Sequence, residues 1–132
     1  VGMLLGQPPE SCGMSGRCGH YYVIEADGSV YPCDFYVLDE WRLGNINDTS
    51  FFKLTNSPLG AEFRRLSIPL PESCRACPYL ALCRGGCRRE REPFVGTAPG
   101  SNRLCAGVRL FFDQRLSRLQ QLAREVADLR GN

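Results

Sequence analysis

The chain has 132 residues with 14 glycines, 9 prolines, 8 cysteines and a formal charge of +2, which describes one small, loop-rich domain with room for a modest core. Fifteen of its sixteen basic residues are arginine, Lys53 being the exception, and fourteen acidic residues offset them, so no basic tract marks a nucleic-acid partner. Val1 to Gly6 has neither the basic flank of a signal peptide nor the apolar length of a membrane span, and the sequence reads as a piece of a longer cytoplasmic protein.

In chain order, Val1 to Ser11 with its Pro8-Pro9 pair is a lead-in of linker character. Cys12 and Cys18 follow in a loop. Tyr21 to Glu25 and Ser29 to Tyr31 are β-rich runs on either side of Ala26-Asp27-Gly28, and Asp-Gly is a strong hairpin signal. Pro32 ends the second strand, so Cys33 stands just past it. Asp48 or Thr49 caps a short helix over Ser50 to Leu54, and Ser57-Pro58 starts another that runs to about Leu66. Phe51, Phe52, Leu54, Leu59, Phe63 and Leu66 are read as core.

Ile68 to Pro71 breaks the chain before a tight run of Cys74, Cys77, Cys83 and Cys87. Short helical turns here bring Cys83 and Cys87 onto one face. Glu92 to Arg103 is a loop that returns Cys105 to a site. From Leu104 to about Leu129, Val108, Phe112, Leu116, Leu119, Leu122, Val126 and Leu129 recur at three and four residues, giving a long amphipathic helix. The predicted fold is a small, metal-stapled α+β domain: a β-hairpin, short helices and loops, and a long C-terminal helix. That helix is longer than so small a domain covers alone.

Eight thiols divide into two four-thiolate sites. Three readings stand open on spacing: a disulfide framework in an oxidising compartment, structural zinc at the Cys74-x2-Cys77 knuckle, or iron–sulfur clusters, which accept cysteines at irregular separations. Cys83-Arg84-Gly85-Gly86-Cys87 puts two glycines between ligands, so the backbone can curl and aim N–H groups at sulfur. Arg84, Arg88, Arg89 and Arg91 surround the same segment and suit the charge of a four-thiolate cubane, about −2. Asp34, read from its neighbours alone, is a turn or capping residue.

The pattern Cys18-x9-Gly28-x4-Cys33, then Cys74-x2-Cys77-x5-Cys83-x3-Cys87, then Cys105 resembles the SPASM domain at the C-terminal end of many radical S-adenosylmethionine (SAM) enzymes. Val30-Tyr31-Pro32-Cys33-Asp34-Phe35-Tyr36-Val37 and Trp41-Arg42-Leu43-Gly44-Asn45 look specifically like the anaerobic sulfatase-maturating enzymes. The resemblance implies a linker stub over residues 1–11, a SPASM domain over 12–107 and a C-terminal helix over 108–132 that packs partly on an absent radical SAM core. It implies two crossed [4Fe–4S] sites, one held by Cys12, Cys18, Cys33 and Cys87, the other by Cys74, Cys77, Cys83 and Cys105. Asp34 would then be the catalytic base that deprotonates a sulfatase Ser or Cys during its oxidation to formylglycine.

The partners so implied are the radical SAM core, a sulfatase polypeptide and an electron donor or acceptor protein, with no nucleic acid and no membrane. SAM and a third [4Fe–4S] cluster belong to the core, because no Cys-x3-Cys-x2-Cys loop occurs here. Zinc is the expected substitute in an aerobic sample. Two alternatives are carried: a SPASM module of another peptide-modifying radical SAM enzyme, or a zinc-binding structural or interaction domain.

Overall fold

The computed structural model describes residues 1–93 and 100–131. In chain order its helices are α1 (Cys12–Ser15), α2 (Phe51–Thr55), α3 (Pro58–Arg65), α4 (Glu72–Arg75), α5 (Leu80–Cys83) and α6 (Cys105–Arg130). Its strands are β1 (Val23–Ile24), β2 (Ser29–Tyr31) and β3 (Gly44–Asn45). The predicted α+β class holds, with the hairpin, the short helices and the long last helix in their expected order. The chain divides into two compact units, Arg17–Pro69 and the pair of segments Val1–Gly16 and Leu70–Asn132.

In the unit Arg17–Pro69 an antiparallel sheet runs β1-β2-β3, with Val23 opposite Tyr31 and Val30 opposite Gly44. The Asp27-Gly28 turn forms as expected. Gly28 has φ +86°, a conformation that favours glycine, and a Cβ there would also press on the Asn47 side-chain nitrogen, 2.5 Å away. Asp27 accepts the Ser29 N–H at 2.9 Å and the Ser29 hydroxyl at 2.8 Å, and Arg42 Nε donates to that hydroxyl oxygen at 2.9 Å. These bonds from Ser29, and then the Arg42 charge, hold the Asp27 carboxyl below its ordinary value. The third strand was not legible in the sequence: it is two residues long and begins with a glycine.

Val30, Tyr31, Tyr36, Leu54 and Phe63 form the core of this unit. The Phe63 ring meets Tyr36 at 4.9 Å and Trp41 at 5.1 Å, both edge-on, the favoured arrangement of aromatic quadrupoles. Helix α3 starts as predicted, with Pro58 in its first turn and the Ser57 hydroxyl accepting the Gly60 N–H at 3.2 Å. Helix α2 departs from expectation twice. Ser50, not Asp48 or Thr49, is its N-cap, and it makes no side-chain capping bond. Leu54 is buried as expected, but Phe51 is 44% exposed and Phe52 75%, because a five-residue helix has a single narrow face to bury.

In the other unit the residues read as a lead-in are folded: Gly2–Leu5 is a 3-10 turn packed on α6. Helix α1 packs on α5. Helix α6 spans about 39 Å at the usual rise per residue. Its stripe of Val108, Phe112, Leu116, Leu119, Leu122 and Val126 is half-buried, while Leu129 is exposed. No helix among the described residues is long and apolar enough to cross a membrane. The loop expected over Glu92 to Arg103 has its middle, residues 94–99, outside the described residues.

The expected sharing of one helical face by Cys83 and Cys87 does not occur. Helix α5 ends at Cys83, and Arg84, Gly85 and Gly86 follow with φ of 52°, 83° and 70°. Three consecutive left-handed residues reverse the chain and take Cys87 off the helix.

Candidate metal centre

Four cysteines of the second unit line one cavity of about 50 Å³: Cys74, Cys77, Cys83 and Cys105. Local structure explains each position. Pro71 precedes α4, which carries Cys74, and the Cys77 N–H closes a turn onto the Cys74 carbonyl at 3.1 Å. Cys83 is the last residue of α5, its N–H bonded to the Tyr79 carbonyl at 2.8 Å. Cys105 is the first residue of α6.

Asn102 joins the last two. Its side-chain N–H donates to the Gly85 carbonyl at 3.0 Å, its side-chain oxygen accepts the Leu104 N–H at 2.7 Å, and its own carbonyl accepts the Cys105 N–H at 2.9 Å. Ser73, Tyr79, Leu80, Gly85, Val108 and Arg109 complete the walls. The Tyr79 hydroxyl donates to Asp113, and its ring stacks on Phe112 at 5.3 Å.

Burial pushes the Cys74 thiol up, and the neighbouring Cys105, Cys83 and Cys77 push it further, with Arg91 opposing them. A half-buried thiol whose ionisation is opposed by three neighbouring cysteines on the same cavity belongs to a donor set that suits a cationic centre. The four cysteines line one cavity, and a set of four thiols suits a thiolate-ligated iron–sulfur centre.

The remaining cysteines lie in both units. In Val1–Gly16 with Leu70–Asn132, Cys12 opens α1, where the Ser11 hydroxyl caps the Met14 N–H at 3.3 Å. Cys87 faces the next residue: a Cβ on Gly13 would stand 3.9 Å from the Cys87 Cβ. In Arg17–Pro69, Cys18 is anchored by its N–H to the Ser67 hydroxyl at 2.8 Å, and Ser67 donates to the Arg64 carbonyl at the end of α3 at 2.6 Å. Cys33 leaves β2 and caps a 3-10 turn over Asp34–Tyr36. Its thiol is pushed up to about 12, by burial first, with Asp34 and Cys18 adding to the rise and the Phe35 amide opposing it.

Asp34 is exposed, and its Oδ1 accepts from the Cys33 thiol at 3.3 Å and from the Phe35 N–H at 3.1 Å. Asn102 was not singled out in the sequence: it sits in no periodic or cysteine-spaced pattern, and its role arises from contacts across the unit. Arg91 was read there only as one of four arginines around the Cys83–Cys87 segment.

The family model for the SPASM iron–sulfur cluster-binding domain matches residues 12–78. A cysteine-type anaerobic sulfatase-maturating enzyme of Clostridium perfringens is 44% identical over 94% of this chain and 33% of its own length. A serine-type enzyme of Bacteroides thetaiotaomicron is 37% identical over 82% of this chain and 27% of its own length. The solved structure of native anSMEcpe with bound AdoMet and Kp18Cys peptide superposes with a TM-score of 0.86 at 44% identity, over 94% of this chain and 35% of that one. The chain thus spans about a third of the length of these relatives. With four of its thiols gathered round one cavity, it belongs to the SPASM family of iron–sulfur cluster-binding domains.

Proposed function

We propose that this chain is the auxiliary-cluster part of a radical SAM oxidoreductase that oxidises a cysteine or serine of a sulfatase to formylglycine. The observation that carries this is the four-thiol cavity in a chain that aligns along nearly its whole length with sulfatase-maturating enzymes. Identity is higher to the cysteine-type relative than to the serine-type one, 44% against 37%, which favours a cysteine target.

One [4Fe–4S] cluster would be held by Cys74, Cys77, Cys83 and Cys105, the other by Cys12, Cys18, Cys33 and Cys87. Bound there, the clusters supply one-electron acceptance and hold distant segments of the chain together. All eight thiols are then ligands, and no cysteine is left over to exchange with substrate. SAM cleavage belongs to the core outside this chain, as does a third cluster. The setting is cytoplasmic, with a sulfatase polypeptide as substrate and a separate protein to carry electrons.

Asp34 takes the proton. Oxidation of Cβ–SH or Cβ–OH removes two hydrogens and leaves one electron over: Asp34 would accept one hydrogen as a proton, the SAM chemistry of the core would take the other as an atom, and a bound cluster would supply acceptance of the electron. The serine product is the aldehyde itself, and water exchanges the sulfur of the cysteine product with loss of hydrogen sulfide. Once Cys33 is a thiolate ligand, its proton no longer bonds to Asp34. The carboxylate then keeps the Phe35 N–H, which fixes its direction and leaves lone pairs open to a substrate hydrogen.

Asp34→Asn in the full-length enzyme tests this reading. Iron content and SAM cleavage are expected to hold while formylglycine formation falls at least ~100-fold, the usual worth of a positioned base. Undiminished formylglycine would remove Asp34 from the chemistry. A colourless protein holding stoichiometric zinc after anaerobic reconstitution would remove the clusters.

A further inference from the structure

Two arginines beside Cys87 are buried, although guanidinium groups normally keep their heads in water. Arg88 is 3% exposed and Arg91 0%, and they are the first and last residues of the 3-10 turn Arg88–Arg91. The residues between them pair elsewhere: Glu90 with Arg103, and Arg89 with Glu92 at 2.6 Å.

Arg91 reaches the wall of the four-cysteine cavity. Its Nη2 donates to the Gly16 carbonyl at 3.0 Å, and its Cδ and Nη1 lie 3.8 Å from where a Cβ on Gly85 would stand. Gly85 itself lines the cavity. The guanidinium therefore backs a stretch of bare backbone, with no side chain of residue 85 in between. A buried cation is stabilised by a nearby anion, and four thiolates around an iron–sulfur core supply a net charge of about −2.

We infer that the Arg91 guanidinium is the buried counter-charge of the cluster held by Cys74, Cys77, Cys83 and Cys105, and that it raises that cluster's reduction potential. The inference rests on the cluster assignment above. Reduction adds one electron from an external donor and makes the cluster one unit more negative. A fixed cation behind the wall stabilises that reduced form more than the oxidised one. Arg91 touches no reacting atom and acts as a positioning residue through its field.

Redox titration of the anaerobically reconstituted chain, read by electron paramagnetic resonance of the reduced clusters, tests this. Cys77→Ala identifies the signal of the cavity cluster by its loss. Arg91→Met, similar in length and uncharged, is expected to keep its iron and to disfavour reduction at that signal at least tenfold, about 59 mV for a one-electron couple. Arg91→Lys is expected to recover most of the shift. An unmoved potential in an iron-replete Arg91→Met chain overturns the inference and leaves the cluster assignment standing. A wild-type chain that takes up no iron overturns both. If Arg91→Met does not load, Arg91→Lys decides: loading at the wild-type potential supports the counter-charge, and a shifted potential or no loading overturns it.

Discussion

The Asn102 side chain donates to the Gly85 carbonyl at 3.0 Å while accepting the Leu104 N–H at 2.7 Å, so one amide ties the loop after Cys83 to the start of the helix that opens with Cys105. Gly86 leaves the room for it: a Cβ there would collide with the Asn102 nitrogen. The cavity thus depends on a residue that offers it no sulfur.

Asn102→Ala is expected to cost about 1–3 kcal/mol, because it leaves a buried carbonyl and a part-buried N–H unmatched. It should also weaken iron retention at the Cys74 set more than at the other. Denaturant unfolding and chelator-challenged iron release measure the two effects. Iron loss equal at both sets would mean that Asn102 stabilises the fold without positioning Cys105.

Gly16 and Gly6 make a matched pair. Both are left-handed, with φ of 71° and 77°, but a Cβ on Gly6 meets nothing within 4 Å whereas one on Gly16 would fall on the Arg84 carbonyl. Gly6→Ala should therefore cost about 1–2 kcal/mol, the conformational penalty alone. Gly16→Ala should cost clearly more, because backbone must move where α1 meets α5. Equal unfolding midpoints for the two variants would contradict the close approach.

Much of this was legible in the chain. Asp27-Gly28 and Ser57-Pro58 announced their turn and helix through local chemistry, and the period of α6 through spacing. What was not legible depends on contacts distant in sequence. Phe51 and Phe52 look like core by type, yet a helix of one and a half turns buries Leu54 and leaves both exposed. Cys83 and Cys87 are four apart, but the left-handed run from Arg84 to Gly86 cancels the helical period. Asn102 is an ordinary polar residue until the fold puts it against Gly85, and of the four arginines read around the cysteine run only the fold sets Arg91 against that glycine.

Acid should loosen the hairpin through Asp27. Its folded pKa is held down by Ser29 and then by Arg42, below the unfolded value of about 3.9. The ionised form is thus favoured in the fold, and its contribution is full above that unfolded value and lost as pH falls through the folded one. Asp27→Asn should flatten this acid limb while leaving stability at pH 7 lower by the lost contribution. Thermal unfolding from about pH 6 down to pH 2 measures it, that range bracketing both values. A variant with an acid limb as steep as the parent's would exonerate Asp27.

The crossed ligand sets make a prediction that no sequential division of the cysteines shares. If Cys87 serves the early set and Cys105 the late one, each single Cys→Ser variant should retain one cluster, about four iron of about eight. Cys77→Ser with Cys105→Ser strikes one site twice and should also keep about four, whereas Cys87→Ser with Cys105→Ser strikes both and should keep about none. Were the division sequential, with Cys77, Cys83, Cys87 and Cys105 together, the second double variant would still hold a cluster. Iron and sulfide analysis after anaerobic desalting distinguishes them. The placement of Cys77, Cys83 and Cys105 round one cavity with Cys74, and of Cys87 against Gly13 beside Cys12, favours the crossed outcome.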